Sequence, residues 1–265
     1  MIRFLEKEPV QVTGLLLLAA AWKFAFVLGG AVPFNADEAV VALMARHILQ
    51  GERPVFFYGQ AYMGSLDAWL VAAGFALFGE NVWVIRLAQG LLYLGVVAGV
   101  YLLAKDLYRS SRAAMLAGLL LAVPAVNTTV YTTASLGGYG EALLMGTWML
   151  LMAWRSRQRA EAGVFPWRTA ILWAFLAGLG WWANGLSLVF SVPTGLYLLW
   201  LLLWKTSSRG RWPGIAAMLA GFLVGSAPWW LYALRTGPQQ LVGELFGGAV
   251  AVESTPWLVQ VSTHL

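Results

Sequence analysis

The sequence predicts an all-α protein, a polytopic bundle of about seven transmembrane helices. Three observations carry this prediction. Hydrophobic residues make up 60% of the 265 residues, and the mean hydropathy is +0.71. Charged residues make up only 11%, well below the roughly 25% of soluble domains. Apolar runs of about 18 residues or more recur along the chain, and the short alternating segments of a membrane barrel are absent.

The predicted spans are approximately 12–32, 84–104, 113–131, 139–154, 169–184, 187–204 and 213–234. Basic clusters separate them: Lys105, Arg109 and Arg112; then Arg155, Arg157, Arg159 and Arg168; then Lys205, Arg209 and Arg211. With a cytoplasmic N-terminus, these clusters all lie on the side that also holds Arg3 and Lys7. The positive-inside rule therefore predicts a multi-pass protein of the cell (inner) membrane with its N-terminus in the cytoplasm.

The connection from Pro33 to Trp83, here called loop one, is predicted to be extracytoplasmic. Residues 37–49 have the pattern of an amphipathic helix, and Ser65 to Phe78 form a second helix of about 21 Å at 1.5 Å per residue. That length favours a helix at the membrane interface over a span. Counting it as a span would also place the later arginine clusters outside. We therefore predict one membrane module over 1–238 and an incomplete extracytoplasmic segment over 239–265.

Asp37 and Glu38 are adjacent, just beyond the first predicted span. Asp and Glu total only 12 in this chain, so two carboxylates at the mouth of a span are candidate catalytic groups. The alternative is a structural one, since acidic side chains stabilise a helix N-terminus by about 0.3–1 kcal/mol. Glu141 begins the fourth span, where a carboxylate requires a partner, a function or contact with interfacial water.

Polar and aromatic groups accumulate on the same predicted face. Acid, amide, hydroxyl and aromatic side chains interspersed with glycines are typical of a carbohydrate site, because sugars offer both hydroxyls and apolar C–H faces. The candidates for substrate binding are Tyr58, Gln60, Tyr62, Tyr139 and Asn184. Tyrosines and tryptophans also form belts at any membrane interface, which is the alternative explanation for many of them.

Four basic residues on or near this face are candidates for holding an anion: Lys23, Arg46, Arg53 and Arg86. Lys23 lies within the first span, so it either extends towards the interface or neutralises an acid or a phosphate. The net charge of +5 reflects the membrane-flanking clusters, and we predict no nucleic-acid partner.

The sequence suggests no certain cofactor. Cysteine is absent and histidine occurs twice, which leaves no pattern of zinc ligands. No phosphate-binding or dinucleotide motif is present. Two or three clustered carboxylates could hold a divalent cation such as Mg²⁺, although nothing in the sequence demands one.

Several motifs resemble those of the GT-C-fold membrane glycosyltransferases, the family 39-like group that includes protein O-mannosyltransferases and aminoarabinose transferases. In loop one they are Asn35-Ala36-Asp37-Glu38-Ala39, Leu49-Gln50-Gly51-Glu52-Arg53-Pro54 and the run 58–66, Tyr-Gly-Gln-Ala-Tyr-Met-Gly-Ser-Leu. Later in the chain they are Gly137-Gly138-Tyr139-Gly140-Glu141, the run 180–187, Gly-Trp-Trp-Ala-Asn-Gly-Leu-Ser, and Pro228-Trp229-Trp230-Leu231-Tyr232. The resemblance covers approximately residues 10–238. Relatives are about twice as long, so it implies that this chain corresponds to an N-terminal portion.

The resemblance implies transfer of a sugar from a polyprenyl-phosphate carrier to a protein, lipid or glycan acceptor on the extracytoplasmic face. Asp37 matches the catalytic acidic position, with Glu38 beside it, and Glu141 resembles a second acidic position. The chemistry agrees: a phosphate leaving group needs no acid, and a single base on the acceptor leads to inversion. Two alternatives remain open: a transporter or flippase of lipid-linked substrates, in which Lys23 and Glu141 would be coupling charges, or an inactive truncated fragment.

Overall fold

The computed structural model describes residues 8–161, 165–205 and 208–246. Arg3, Lys7 and most of the predicted segment 239–265 lie outside the described residues. The helices are α1 Glu8–Leu28, α2 Ala36–Leu49, α3 Leu66–Phe78, α4 Val82–Tyr108, α5 Ser111–Ala122, α6 Val126–Tyr131, α7 Tyr139–Glu161, α8 Trp167–Ala183, α9 Leu188–Lys205, α10 Ser208–Gly225, α11 Ala227–Thr236 and α12 Pro238–Phe246. A 3₁₀ turn, Gly185–Ser187, precedes α9. The predicted all-α class is confirmed.

The predicted spans differ from the structure in two places. Span 113–131 consists of two helices, because α5 ends at Ala122 and α6 begins at Val126, and Pro124 between them has no N–H to donate. Span 213–234 is bent by 67° between α10 and α11, just before Pro228. By length and hydropathy, three helices of the described part qualify as spans, α1, α4 and 185–205, and the bent pair makes a fourth.

The fourth and fifth predicted spans correspond to α7 and α8, which form the centre of the bundle. Helix α7 contacts α4, α8 and α9, and α8 packs most extensively against α10. Glycines permit this last contact: a Cβ added to Gly178 would overlap the Phe222 carbonyl, and one added to Gly225 would overlap that of Phe175. Small residues at helix contacts are typical of membrane bundles, where close backbone packing drives association.

Loop one folds into a compact unit at one end of the bundle, here called the loop-one end. The predicted helices are confirmed as α2 and α3, which pack together through Val41, Met44, Ala45, Val71 and Phe75, all buried. Between them lies a hairpin that the sequence analysis missed: β1 Phe56–Phe57 pairs antiparallel with β2 Gln60–Gly64, with an irregular register. An isolated bridge from Met63 to Asn184 attaches the hairpin to the end of α8.

A buried ion pair fixes α2 to α4. The Arg86 guanidinium donates to both carboxylate oxygens of Glu38, at 3.3 Å from Nε and 3.2 Å from Nη2. The two side chains are 7% and 0% exposed, so neither charge has water to replace its partner. The pair therefore determines how the start of α2, with Asp37 beside it, is positioned on the bundle.

Removing one member of this pair should destabilise the protein strongly. A buried charge without its partner costs about 3–5 kcal/mol, whereas replacing both charges with apolar groups is often nearly neutral. We expect Arg86→Met to lower the unfolding temperature in detergent by far more than the double variant Glu38→Leu/Arg86→Met does.

The control is Arg46→Gln, because Arg46 pairs with Glu80 at 2.6 Å with side chains 55% and 42% exposed. Exposed pairs contribute about 0–1 kcal/mol. Equal losses for Arg86→Met and Arg46→Gln would contradict the assigned role of the buried pair.

Candidate active site

Asp37 lies in the first turn of α2, at the loop-one end. Asn35 caps this helix, since its side-chain oxygen accepts the Glu38 N–H at 3.0 Å. The next two residues then differ sharply: Asp37 is partly exposed, whereas Glu38 points inwards to Arg86. The rotation of about 100° between successive helical residues thus separates a partly exposed carboxylate from a buried structural one.

Loop one contributes five carboxylates, and the other four are engaged. Glu38 pairs with Arg86, Glu52 accepts the Tyr58 hydroxyl, Asp67 accepts several donors and Glu80 pairs with Arg46. Within the described residues, Asp37 forms no hydrogen bond or ion pair. Its carboxylate is therefore available to accept a proton from a bound molecule.

Asp67 is a buried carboxylate that the sequence analysis did not select. Its oxygens accept Gln89 Nε2 at 2.9 Å and Ser135 Oγ at 2.5 Å, and the N–H groups of Gly137 and Gly138 add to them. Both glycines have positive φ, 77° and 93°, a conformation that glycine adopts without strain. Burial raises the pKa of Asp67, and these donors oppose the rise. The cradle connects α3, α4 and the segment before α7.

Glu141 lies beside this cradle, in the first turn of α7. It is 2% exposed, and both carboxylate oxygens are buried without a geometrically formed hydrogen bond. Asp67 is the charged neighbour that acts on it. Two buried carboxylates in proximity disfavour double ionisation. Because the donors surround Asp67, we infer that Asp67 keeps the charge and Glu141 holds a proton. The catalytic role of Glu141 stays a prediction.

Tyr62 lies close to Asp37, and a second tyrosine, Tyr139, lies close to Tyr62. Desolvation raises the pKa of the exposed Tyr62, and the nearby Tyr139 and Asp37 add to the rise. The Tyr62 hydroxyl donates to Gln60 Oε1 at 2.7 Å, and the ring of Tyr139 contacts that of Tyr131, with centroids 5.3 Å apart. The structure thus groups four predicted site residues from loop one and α7: Asp37, Gln60, Tyr62 and Tyr139. They offer hydroxyl, amide and aromatic surfaces together with a carboxylate that has no hydrogen-bond partner in the described residues.

Tyr58 has a different environment from Tyr62. Its hydroxyl donates to Glu52 at 2.8 Å and lies 3.0 Å from His47 Nδ1. Desolvation and then the hydrogen bond to Glu52 raise the pKa of Tyr58 to about 12. Tyr58, Glu52 and His47 together link the end of α2 to the hairpin. Their polar groups interact with one another.

The predicted cations divide into paired and unpaired groups. Arg46 and Arg86 pair with Glu80 and Glu38. Arg53 donates to the Glu52 carbonyl and lies over the Trp69 ring at 5.4 Å. It lines a cavity of about 440 Å³ together with Arg235, a residue that the sequence analysis assigned no role. Among the described residues, neither arginine has a carboxylate partner.

Lys23 and Asn184 are both buried. Lys23 donates to Thr132 and Thr133 and lies beside a separate groove between α1 and α4. Asn184 donates to the Gly137 carbonyl at 3.0 Å and accepts the Leu186 N–H at 2.9 Å. Both polar ends of Asn184 thus serve the backbone that shapes the Gly137-Gly138 turn.

A metal centre is not apparent in the part of the chain that the structure describes. No group of three histidine or acidic side chains comes together there as ligands for a metal ion. Ser135 and Gln89, which complete the Asp67 cradle, carried no sequence signal of their own. Asp67 itself did carry one, since it is a lone acid in the apolar helix Leu66–Phe78.

The raised pKa of Asp67 leads to a pH-dependent prediction. A carboxyl group with a raised pKa stabilises the fold at low pH, and this contribution is lost as pH rises above the ordinary value of about 4. We expect the unfolding temperature of the wild type to fall with rising pH, and that of Glu141→Gln to fall less, because a neutral amide replaces the protonated acid.

Asp67→Asn is the contrasting variant. It removes an acceptor from a cradle of donors, and a buried unsatisfied group costs about 1–3 kcal/mol. Differential scanning fluorimetry in detergent should therefore show a large loss for Asp67→Asn and a small one for Glu141→Gln. A reversed order would show that Glu141, not Asp67, carries the charge.

The chain matches a known protein family over its central part. The family model described as dolichyl-phosphate-mannose-protein mannosyltransferase matches residues 65–232, which is more than half of the chain. The match includes α3 with Asp67, the Gly137-Gly138 turn and Glu141, and it begins after Asp37. No curated protein and no solved structure matches the chain. The chain therefore belongs to the dolichyl-phosphate-mannose-protein mannosyltransferase family and is a GT-C-type membrane glycosyltransferase.

Proposed function

We propose that this protein transfers a sugar from a polyprenyl-phosphate carrier to an acceptor on the extracytoplasmic face of the cell membrane, with Asp37 as the base. The observation that carries the proposal is the availability of Asp37. Of the five loop-one carboxylates in the described structure, it alone has neither an ion pair nor a hydrogen bond. Family membership supports the reaction class, and the resemblance of the Asp37 motif supports the residue.

The step is a displacement at the anomeric carbon. The acceptor O–H gives its proton to the Asp37 carboxylate, and the acceptor oxygen forms a bond to the anomeric carbon. The bond from that carbon to the phosphate oxygen breaks, and polyprenyl phosphate leaves with the electron pair. Because attack comes from the face opposite the phosphate, the configuration inverts (two-carboxylate hydrolases differ in needing an acid for the leaving group).

Tyr62, Tyr139 and Gln60 are suited to hold the sugar. They present two aromatic rings, two hydroxyls and an amide grouped around Tyr62, which lies near Asp37, and this matches the mixed apolar and polar surface of a hexose or pentose.

The departing phosphate requires positive charge, and the 440 Å³ cavity supplies it. Arg53 and Arg235 line this cavity with Trp69, Trp182 and Tyr232. The hairpin that carries Gln60 and Tyr62 is attached to two residues of this cavity. Trp182 Nε1 donates at 2.8 Å to the carbonyl of Val55, just before the hairpin, and the Phe56 ring contacts the Tyr232 ring. Cations fixed where charge develops stabilise a transition state, and the aromatic walls suit the first units of a prenyl chain.

The base is tested with Asp37→Asn. Proteoliposomes containing the full chain would be given a panel of radiolabelled polyprenyl-phosphate hexoses and pentoses, and release of polyprenyl phosphate and labelled product would be measured. General base catalysis contributes about 10²–10⁴-fold, so we expect a loss of that size. The product of the wild type should have the opposite anomeric configuration to the donor.

Glu52→Gln is the matched control, since Glu52 is an exposed loop-one carboxylate that hydrogen-bonds Tyr58. It should keep activity within a few-fold of the wild type. Undiminished transfer by Asp37→Asn, in a preparation as well folded as the wild type, would refute the role of Asp37.

The leaving-group site is tested with Arg53→Gln and Arg235→Gln. We expect each to lower the transfer rate by roughly 10–10²-fold, because each removes a charge that the departing phosphate needs. The control is Arg168→Gln: Arg168 also lies over a tryptophan, Trp167, at 5.1 Å, but at the opposite end of the bundle. Equal effects of all three substitutions would argue against a specific phosphate site.

A further inference from the structure

A second apolar cavity lies on the flank of the bundle, between α1 and α4. It is a groove of about 710 Å³, and Lys23 and Arg86 are the charged residues among those lining it. The remaining lining residues are apolar or glycine. Leu17, Phe24 and Leu91 on its walls are 65%, 57% and 60% exposed. The groove therefore opens sideways, towards the hydrocarbon region of the bilayer.

The two cations of the groove differ in their electrostatic state. Arg86 is neutralised by Glu38. Lys23 is 6% exposed, and no carboxylate of the described residues pairs with it. Its Nζ donates to Thr132 Oγ1 at 2.5 Å and Thr133 Oγ1 at 2.9 Å, and it lies 4.3 Å from the centre of the Tyr93 ring. These neutral groups solvate the ammonium, but they leave its charge uncompensated.

The third N–H donor of the Lys23 ammonium makes only a weak hydrogen bond. Its only acceptor is the Thr129 carbonyl at 3.4 Å, which is long for an N–H···O bond. Lys23 precedes the end of α1 at Leu28 by five residues, or about 7.5 Å along the helix. An unneutralised charge at this depth, beside an apolar groove, is complementary to the phosphate of a lipid whose chains fill that groove.

We propose that this groove binds an anionic phospholipid of the bilayer, with its acyl chains along α1 and α4 and its phosphate against Lys23. The lining argues for a bilayer phospholipid over the sugar carrier. It contains no carboxylate, amide or hydroxyl side chain that would recognise a sugar, and it includes no residue of α2 or the hairpin. The site is therefore distinct from the proposed donor site and does not depend on it.

Occupancy of the groove would act on loop one through Arg86. This residue lines the groove and holds Glu38 at the start of α2, next to Asp37. A lipid in the groove thus packs against the side chain that positions the proposed base. We expect anionic lipid to stabilise the protein, by the general rule that a ligand of the native state raises the unfolding temperature.

The test compares phosphatidylglycerol with phosphatidylcholine on the purified full chain in detergent. Native mass spectrometry would count bound lipids, and thermal unfolding would report stabilisation. We expect phosphatidylglycerol to be retained and to raise the unfolding temperature, and phosphatidylcholine to do neither. Lys23→Gln should weaken phosphatidylglycerol binding at least tenfold, and Lys23→Arg should restore most of it.

A second pair of variants tests the groove without changing any charge. Leu91→Trp places a larger side chain on the groove wall and should reduce binding, whereas Leu199→Trp, on α9 outside the groove, should not. Lys205→Gln, at the opposite end of the bundle, is the charge control and should bind normally. Circular dichroism would verify that each variant is folded.

Three results would overturn the proposal. The first is equal binding of the two phospholipids, and the second is unchanged phosphatidylglycerol binding by both Lys23→Gln and Leu91→Trp. The third is complete displacement of phosphatidylglycerol by stoichiometric polyprenyl phosphate, which would assign the groove to the carrier. None of these results bears on whether Asp37 and the arginine cavity catalyse transfer, which the transfer assay measures separately.

Discussion

Asp67 holds loop one to the rest of the bundle, because donors from three parts of the chain converge on one buried carboxylate. Gln89 comes from α4, Ser135 from the segment before α7, and the N–H groups of Gly137 and Gly138 from the turn that follows. A carboxylate removed from water is stable only with such compensation. The position of α3, the geometry of the glycine turn and the start of α7 therefore depend on one another. Tyr139 and Glu141, two and four residues beyond Gly137, inherit their places from it.

Desolvation explains why residues with similar chemistry have different roles at the loop-one end. Glu38 and Asp37 are neighbours in sequence, yet the rotation of about 100° per helical residue directs one towards Arg86 and leaves the other partly exposed. The same division applies to the cations, since Arg46 and Arg86 have acid partners whereas Arg53, Arg235 and Lys23 do not within the described structure. Among the cations, pairing, not exposure, makes this division, because Arg46 is paired although exposed and Lys23, although buried, has no acid partner among the described residues. Buried pairs provide the rigid support that a catalytic group requires.

The unpaired cations are associated with two cavities of different character. The cavity of Arg53 and Arg235 has aromatic walls, and one of its lining residues, Trp182, donates to the Val55 carbonyl just before the hairpin. The groove of Lys23 is lined mainly by apolar side chains, opens to the side and touches loop one through Phe78 and Trp83. A reaction between lipid-anchored and membrane-proximal molecules needs the first kind of cavity for chemistry. The second kind is suited to a lipid that stabilises the fold, which separates substrate recognition from structural lipid binding.

The sequence by itself determined the helical membrane class, the two helices of loop one and the prominence of Asp37, because these depend on hydropathy, periodicity and local helix signals. It also carried the family motifs, whose reaction class the family match supports. Only the tertiary structure decided that Glu38 is a buried partner of Arg86 and that Arg235 shares a cavity with Arg53. It also decided that Asp67 accepts hydrogen bonds from three parts of the chain. Each of these contacts joins residues tens of positions apart or more, and no local pattern encodes such pairings. The break in the third span contains Pro124 and the break in the seventh precedes Pro228, but whether a proline bends a helix or ends it depends on what packs around it. Burial, which separates the partly exposed Asp37 from the structural Glu38, is a property of the assembled bundle.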